Sequence, residues 1–325
     1  MKVTTISCTA LVATLLLPAV PSFAQQDYPN KPIRLIVPYP PGGPTDIMGR
    51  LTSDVLAKRL SQNIVVDNRG GAATAIGAEV AARSPADGYT LFLSSETTFA
   101  VNPALRSKLA YDPMRDFAPI SLLTTQPYVL AVNLSLPANS VRQLVAYAKA
   151  NPGKLSYGSA GTGGGAHLAG EMFKQATGID IVHVPYKGNG PAIIDLIGGQ
   201  IGLMLGSISS LYPHAAAKRL RLLAVASAQR SAGAPEIPTF AEEGMPGFQV
   251  KGWNCIVAPR GTPSNVIKRV NAEVVSGFNQ PDVIERLRKQ SIDPAVGTPE
   301  QLAAHIRSEL ARYTKLIKAV GLKVE

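Results

Sequence analysis

The chain has 325 residues, 46% of them hydrophobic and 6% aromatic, and a formal charge of +10. That length allows two lobes of roughly 100–200 residues each, with a core large enough to need no disulfide staples. Its basic residues are scattered among apolar helical positions, as in Lys218-Arg219 and Arg286-Leu287-Arg288-Lys289, without interleaved aromatics. This argues against nucleic acid as a partner, and the positive field favours encounter with small anions.

Lys2, an apolar run from Ala10 to Val20 and the small residues of Ser22-Phe23-Ala24 read as a secretory signal peptide covering residues 1–24. A membrane anchor needs about 20 apolar residues, whereas this run is shorter and contains Pro18. Cys8 precedes the run, which argues against a lipoprotein. Cleavage would remove Cys8 and leave Cys255 alone, so neither an internal disulfide nor a cysteine-rich metal site is expected. Cys255 itself reads as a buried, inert thiol.

Beyond the leader, short β-rich runs alternate with helical patterns, the mark of βαβ units and a mainly parallel sheet. Ile33 to Val37 reads as a strand, Pro38 to Thr45 breaks it, and Ile47, Leu51, Val55 and Leu60 fall on one helical face. Ile64 to Val66 and Tyr89 to Leu93 supply further strands. A second set starts with strand Tyr128 to Val132, then Ser140 and Gln143 in capping-box spacing. Leu155 to Gly158, Ile181 to Val184, Ile201 to Leu205 and Leu222 to Ala226 are strands. A helix is expected around Ile193 to Ile197, and another that buries Leu168, Met172 and Ala176. The last third is helical, with Thr262-Pro263 and Thr298-Pro299 as cap and first-turn pairs. Its final stripe is Leu302, Ile306, Leu310, Tyr313, Ile317 and Val320.

Twice the chain runs strand, glycine-rich turn, helix: at Ile33 to Leu60 and at Leu155 to Ala176. Both turns feed a helix start at the carboxyl end of a parallel strand, the edge where open α/β sheets bind ligands. Unpaired N–H groups and a positive dipole end meet there, and glycine lets an anion approach the bare backbone. Gly161-Thr162-Gly163-Gly164-Gly165 is thus an anion cradle, with Gly42-Gly43-Pro44-Thr45-Asp46 as its counterpart. Either stretch alone also fits a plain flexible turn. Asp46 is expected to fix its loop through backbone N–H groups, since a free carboxylate would repel an anion.

A nucleotide fits less well. Gly161, Gly163 and Ala166 match a loose dinucleotide pattern, but Asp180 precedes a strand instead of ending one, and no P-loop lysine follows. His167, His183, His214 and His305 show no close metal-ligand spacing, so no metal or cofactor is expected. An exported hydrolase using the glycine loop as an oxyanion hole would have to pair Thr162 with His167, without a Gly-x-Ser-x-Gly elbow.

In their order and spacing, several segments together resemble the periplasmic substrate-binding proteins of tripartite tricarboxylate transporters, the Bug family. These are "YPNKPIRLIVPYPPGGPTDIMGRL", "NIVVDNRGG", "ADGYTLF", "YGSAGTGGGAHLAGEMF", "HVPYKGNGPAIIDLIGGQI", "RLLAVAS", "EIPTFAEEGMPGF" and "APRGTPSNVI". The resemblance spans Tyr28 to about Tyr313. It implies a two-lobed, type II-like periplasmic binding fold of the α/β class, with lobes joined by crossing hinge strands. Residues 25–126 and 245–325 would form the first lobe, and 127–244 the second.

The resemblance also implies a non-enzymatic, monomeric periplasmic protein. It would close on a small organic carboxylate and deliver it to a membrane permease, or present it to a sensor kinase. Carried over, the ligand contacts are Tyr39, Gly42, Gly43, Pro44, Thr45 and Asp46 in the first loop. Ser159, Ala160, Gly161, Thr162, Gly163, Gly164 and His167 form the second. Glu96, Thr97, Thr98 and Gly206 complete the set, while Lys187 is either a counter-ion or a solvent-facing lysine. Where family members commonly carry Asp, this chain has Gly202, and often again Gly206. Losing those carboxylates favours an acidic or aromatic carboxylate over an amino acid.

Overall fold

The computed structural model of the chain describes Met1 and residues 28–321, so apart from Met1 the expected signal peptide, with Cys8, lies outside the described residues. The first lobe opens with β1 (Ile33–Val37), α1 (Pro44–Leu60), β2 (Ile64–Asn68), α2 (Ala75–Ala82), β3 (Thr90–Ser95) and α3 (Asn102–Leu105). The long strand β4 (Phe117–Val132) then crosses to the second lobe. There follow α4 (Val141–Ala150), β5 (Leu155–Ser159), α5 (Gly165–Thr177), β6 (Ile181–Pro185), α6 (Asn189–Ile197), β7 (Leu203–Ser207), α7 (Ile208–Ala216) and β8 (Arg221–Val225). Strand β9 (Lys251–Pro259) crosses back and leads into α8 (Ser264–Phe278), α9 (Pro281–Arg288), β10 (Asp293–Pro294) and α10 (Pro299–Val320).

The same strand pattern recurs in both lobes. β1 lies between parallel β2 and β3, and β5 lies between parallel β6 and β7. Among the described strands, these trios carry the parallel pairings. β9 pairs antiparallel with β3 and β4, while β7, β8 and β10 pair antiparallel with β4. The expected mainly parallel sheet is therefore mixed, because the crossing strands must run back between lobes. Pairing of β4 switches between Pro127, opposite Lys251, and Tyr128, opposite Ser207. Phe248 and Val250 pack with Phe173 and Phe240 in the second core, and β9 starts at Lys251.

Helices cover both faces of each lobe, which explains the continuous apolar strands. Leu35 and Val37 pack under Met48, Leu51 and Val55 of α1 and Val270 and Phe278 of α8. Ile36, with its side chain on the opposite face, joins Phe92, Phe99 and Trp253 beneath Leu302, Ile306, Tyr313 and Ile317 of α10. The helical phases differ from expectation in two places. Ile47 is exposed because α1 buries Met48 and Leu51 instead, and α5 buries Leu168, Ala169 and Phe173 while Ala176 is exposed. Leu168 crosses the lobe boundary to pack with Phe99 and Leu105.

The caps follow local chemistry. Thr298 and Gln301 close a full capping box on α10. Ser140 accepts from the Gln143 N–H, but the Gln143 side chain reaches the Asn139 N–H instead of closing back on Ser140. Thr262 lies one residue before the cap of α8, its hydroxyl donating to the Pro259 carbonyl. Cys255 is fully buried, and burial raises its thiol pKa well above the usual range. No helix among the described residues is long and apolar enough to cross a membrane.

One polar stack lies inside the second lobe. The His167 and His183 rings are 3.8 Å apart at 15°, and Tyr157 lies 4.9 Å from His183. His183 Nε2 shares a 2.7 Å hydrogen bond with Ser159 Oγ. Burial, followed by the neighbouring His167, pushes the His183 pKa down from 6.5 to about 4. A group depressed in the folded state stabilises fully above its unfolded pKa and loses that contribution as pH falls. The melting temperature should therefore drop between pH 6.5 and about 4, and drop less in His183→Gln; equal acid sensitivity of the two proteins would refute this role for the stack.

Candidate functional site

A cavity of about 220 Å³ lies where the two lobes face each other. The first lobe lines it with residues 39–45, Ala73 and Ser95, Glu96 and Thr97. The second contributes Ala160, residues 164–166, residues 187–191, Gly206 and Ser207. The crossing strands form its floor with Gln126, Tyr128, Gly252, Trp253 and Asn254. Pockets for drug-sized ligands run from about 300 to 1,000 Å³, so this one suits a small metabolite.

The starts of α1, α5, α6 and α7 all reach this cavity, through Gly43, Gly164, Gly188 and Ser207. None of these four N-caps makes a side-chain capping bond, whereas the surface helices α4 and α10 do. First-turn N–H groups without intrahelical partners are thereby left facing a common space. The cavity wall includes no arginine, and its one lysine, Lys187, is exposed. Positive potential here comes mainly from peptide dipoles.

The two glycine loops are conformational twins. Gly42 and Gly163 have φ of +86° and +77°, a region that favours glycine. The next residues, Gly43 and Gly164, are extended at φ/ψ of −83°/168° and −84°/167°. Each loop is braced from four residues ahead. The Gly42 N–H donates to Asp46 Oδ2 at 2.9 Å, and the Gly163 N–H donates to His167 Nδ1 at 3.0 Å. Asp46 also accepts from Arg50 Nε at 3.0 Å and Asn68 Nδ2 at 2.9 Å. Burial alone would raise its pKa, but these donors outweigh it and hold the carboxyl below its ordinary value. Burial keeps His167 neutral, and acceptance at Nδ1 leaves its proton on Nε2.

Of the residues expected to touch a ligand, Tyr39, Gly42, Gly43, Pro44, Thr45, Glu96, Thr97, Ala160, Gly164 and Gly206 line the cavity. Asp46 and His167 stand behind the wall as braces, and Ser159 is turned to His183. Thr98 is fully buried, bonded to Thr74 and Ser94. Gly161 accepts the Gly164 N–H, and Thr162 is exposed. A Cβ on Gly163 would lie 2.7 Å from Leu105 Cδ2, so that glycine serves close approach of the lobes and not the cavity. The pairing of Thr162 with His167 that a hydrolase would need is therefore countered by an exposed threonine and an imidazole already engaged.

Residues without a distinctive motif complete the site. Gln126, Tyr128, Trp253 and Asn254 sit on strands whose pattern reads only as buried β-structure. Glu96 is 5% exposed; its Oε1 accepts from the Tyr128 hydroxyl at 2.8 Å and its Oε2 from the Trp253 N–H at 3.1 Å. Burial raises its pKa. Tyr39 bonds Ser95 Oγ at 2.8 Å, and burial pushes its hydroxyl up to about 12. Gly165 has no room for a side chain, since a Cβ would lie 2.5 Å from Tyr128 Oη and 2.6 Å from Glu96 Oε1. Among the described residues, no group of three or more His, Cys, Asp or Glu could hold a metal ion.

Residues 48–322 match the family model for the tripartite tricarboxylate transporter family receptor, TctC. BugT of Bordetella pertussis is 37% identical over 92% of each chain. The solved structure of R. palustris Rpa4515 with adipate is 35% identical, with a TM-score of 0.89 over 91% of this chain and 99% of that one. MatC from Rhodopseudomonas palustris with bound malate is 31% identical, with a TM-score of 0.84 over 89% and 100%. The fold, the paired glycine loops and these matches agree: the chain belongs to the TctC family of periplasmic solute-binding receptors, the Bug proteins.

Proposed function

We propose that this receptor captures a small organic carboxylate between its lobes and hands the closed complex to the membrane subunits of a tripartite permease. The observation that carries this reading is the convergence of four uncapped helix starts on one small cavity. The adipate and malate held by its relatives support the ligand class. Export by the N-terminal leader would place the protein in the periplasm as a monomer, with the lobes dividing near residues 127 and 251.

The grip is backbone-made. Hydrogen bonds to a charged group contribute about 1.5–3 kcal/mol each, so four reach the roughly 8 kcal/mol of a micromolar complex. Asp46 belongs to this machinery indirectly, by holding the Gly42 N–H away from the ligand and the first loop in shape. Tyr39, Thr45, Ser95, Thr97, Tyr128 and Ser207 bring side-chain hydroxyls to the cavity wall.

A ligand that binds only the folded state raises the melting temperature. Screened against mono-, di-, tri- and aromatic carboxylates, the protein should show such rises for at least one; a flat response to all of them would remove the reading. Gly165→Val should weaken the best binder by roughly 100-fold, about 2.7 kcal/mol, through occlusion of the cavity. Retained affinity in that variant, measured by calorimetry, would place the ligand elsewhere. Asp46→Ala should lower stability by about 2–3 kcal/mol in chemical unfolding and weaken binding as well. Loss of neither would show that the first loop holds its shape without this brace.

A further inference from the structure

Glu96 is the one acidic side chain on the wall of a cavity otherwise built to attract anions. The Tyr128 hydroxyl, the Trp253 N–H and the start of α5 at Gly165 face its carboxylate, but no cationic side chain on the elements packed around it pairs with the charge. Tyr39 of the β1–α1 loop, Tyr128 of β4, Cys255 of β9 and Tyr313 of α10 are all held neutral by burial. On α10, Glu309 adds a further negative charge, while Arg312 is engaged by that same carboxylate at 2.8 Å. His305, beside Trp253, is kept neutral by burial. Lys187 is exposed to solvent.

The hydrogen bonds make the protonation state matter to a ligand. With Glu96 ionised, the Tyr128 hydroxyl proton is committed to Oε1 at 2.8 Å and is withheld from the cavity. Asn254, 3% exposed on the same floor, offers no donor either, because its Nδ2 reaches Thr124 and its buried Oδ1 has no partner. When a solvent proton joins Oε1, that new O–H donates to Tyr128 Oη. The phenolic proton is then released to turn into the cavity.

We propose that Glu96 is the specificity-determining group of the carboxylate site, admitting the anion as a neutral acid that turns Tyr128 into a donor and opposing it when ionised. The proposal rests on the carboxylate reading above. Binding and proton uptake at Glu96 are then linked: the ligand's charge favours the neutral acid, and the neutral acid favours the ligand. Burial shifts Glu96 in the direction this requires. The floor also disfavours a second ionised group placed against Glu96, so the ligand meets it with a single carboxylate or an uncharged donor.

The test has two arms, both on protein refolded to remove endogenous ligand. In the first, infrared spectra of the ligand-free protein near neutral pH should contain a carboxylic acid carbonyl band that is missing from Glu96→Gln. Absence of that band in the parent protein overturns the proposal. In the second, adipate and malate are titrated by calorimetry across pH in buffers of different ionisation enthalpy. Affinity should fall as pH rises, approaching about tenfold per unit above the Glu96 transition, with net proton uptake. Glu96→Gln, whose amide can donate to Tyr128 Oη, should lose the slope and bind more tightly than the parent at alkaline pH. Tyr128→Phe should keep the infrared band yet weaken binding at low pH. A parent protein that binds without a pH slope, or an unaltered slope in Glu96→Gln, overturns the proposal. If neither these two acids nor any other carboxylate of the screen binds any of the three proteins, the carboxylate reading is what fails, and the infrared arm still decides the state of Glu96.

Discussion

A helix cannot satisfy its own first N–H groups, and in this protein four helix starts bring that deficit to one cavity. Four helices start at the cavity, and none of their N-caps makes the side-chain bond that would quench them. The constraint explains the glycines: a turn from strand to helix with φ near +80° at one residue and an extended conformation at the next. It also explains the braces. Asp46 and His167 occupy the same place in their loops, four residues beyond the braced glycine, although one is an acid and the other a neutral imidazole.

The electrostatics follow from the same choice. An arginine-lined pocket would hold an anion through mobile, fully charged groups, whereas peptide dipoles are fixed by the fold and need no counter-charge when the site is empty. The acids nearby are treated in different ways: three donors hold the Asp46 carboxyl below its ordinary pKa, whereas burial raises that of Glu96. On the proposed reading, such a grip would recognise a carboxylate head in general. Discrimination between one acid and another falls to the floor, where Gln126, Tyr128, Trp253 and Asn254 stand.

Much of this was legible from the chain alone. The strand-glycine-helix repeats gave both loops and the class of fold, because glycine pairs and apolar runs are local signals. The errors were of phase and reach. Ile47 and Ala176 matched a helical period yet face solvent, because neighbours one position away fit the core better. Gly161, Thr162 and Gly163 carry the motif but not the cavity wall, since the loop approaches Leu105 of the opposite lobe. The floor was hidden for a different reason. A buried residue on a crossing strand looks the same in sequence whether it borders a ligand or another side chain, and only the pairing of β4 with β9 brings Gln126, Tyr128 and Trp253 together.

That pairing also ties recognition to movement. The lobes are joined at the point where β4 passes from one set of partners to the other, at Pro127 and Tyr128, and where β9 begins at Lys251. The residues flexed by any swing of one lobe against the other therefore include those lying beneath the guest. On the proposed reading, a molecule seated on Tyr128 and Trp253 would stiffen the joint itself, so that how long it stays and how readily the jaws part would be governed by one set of contacts.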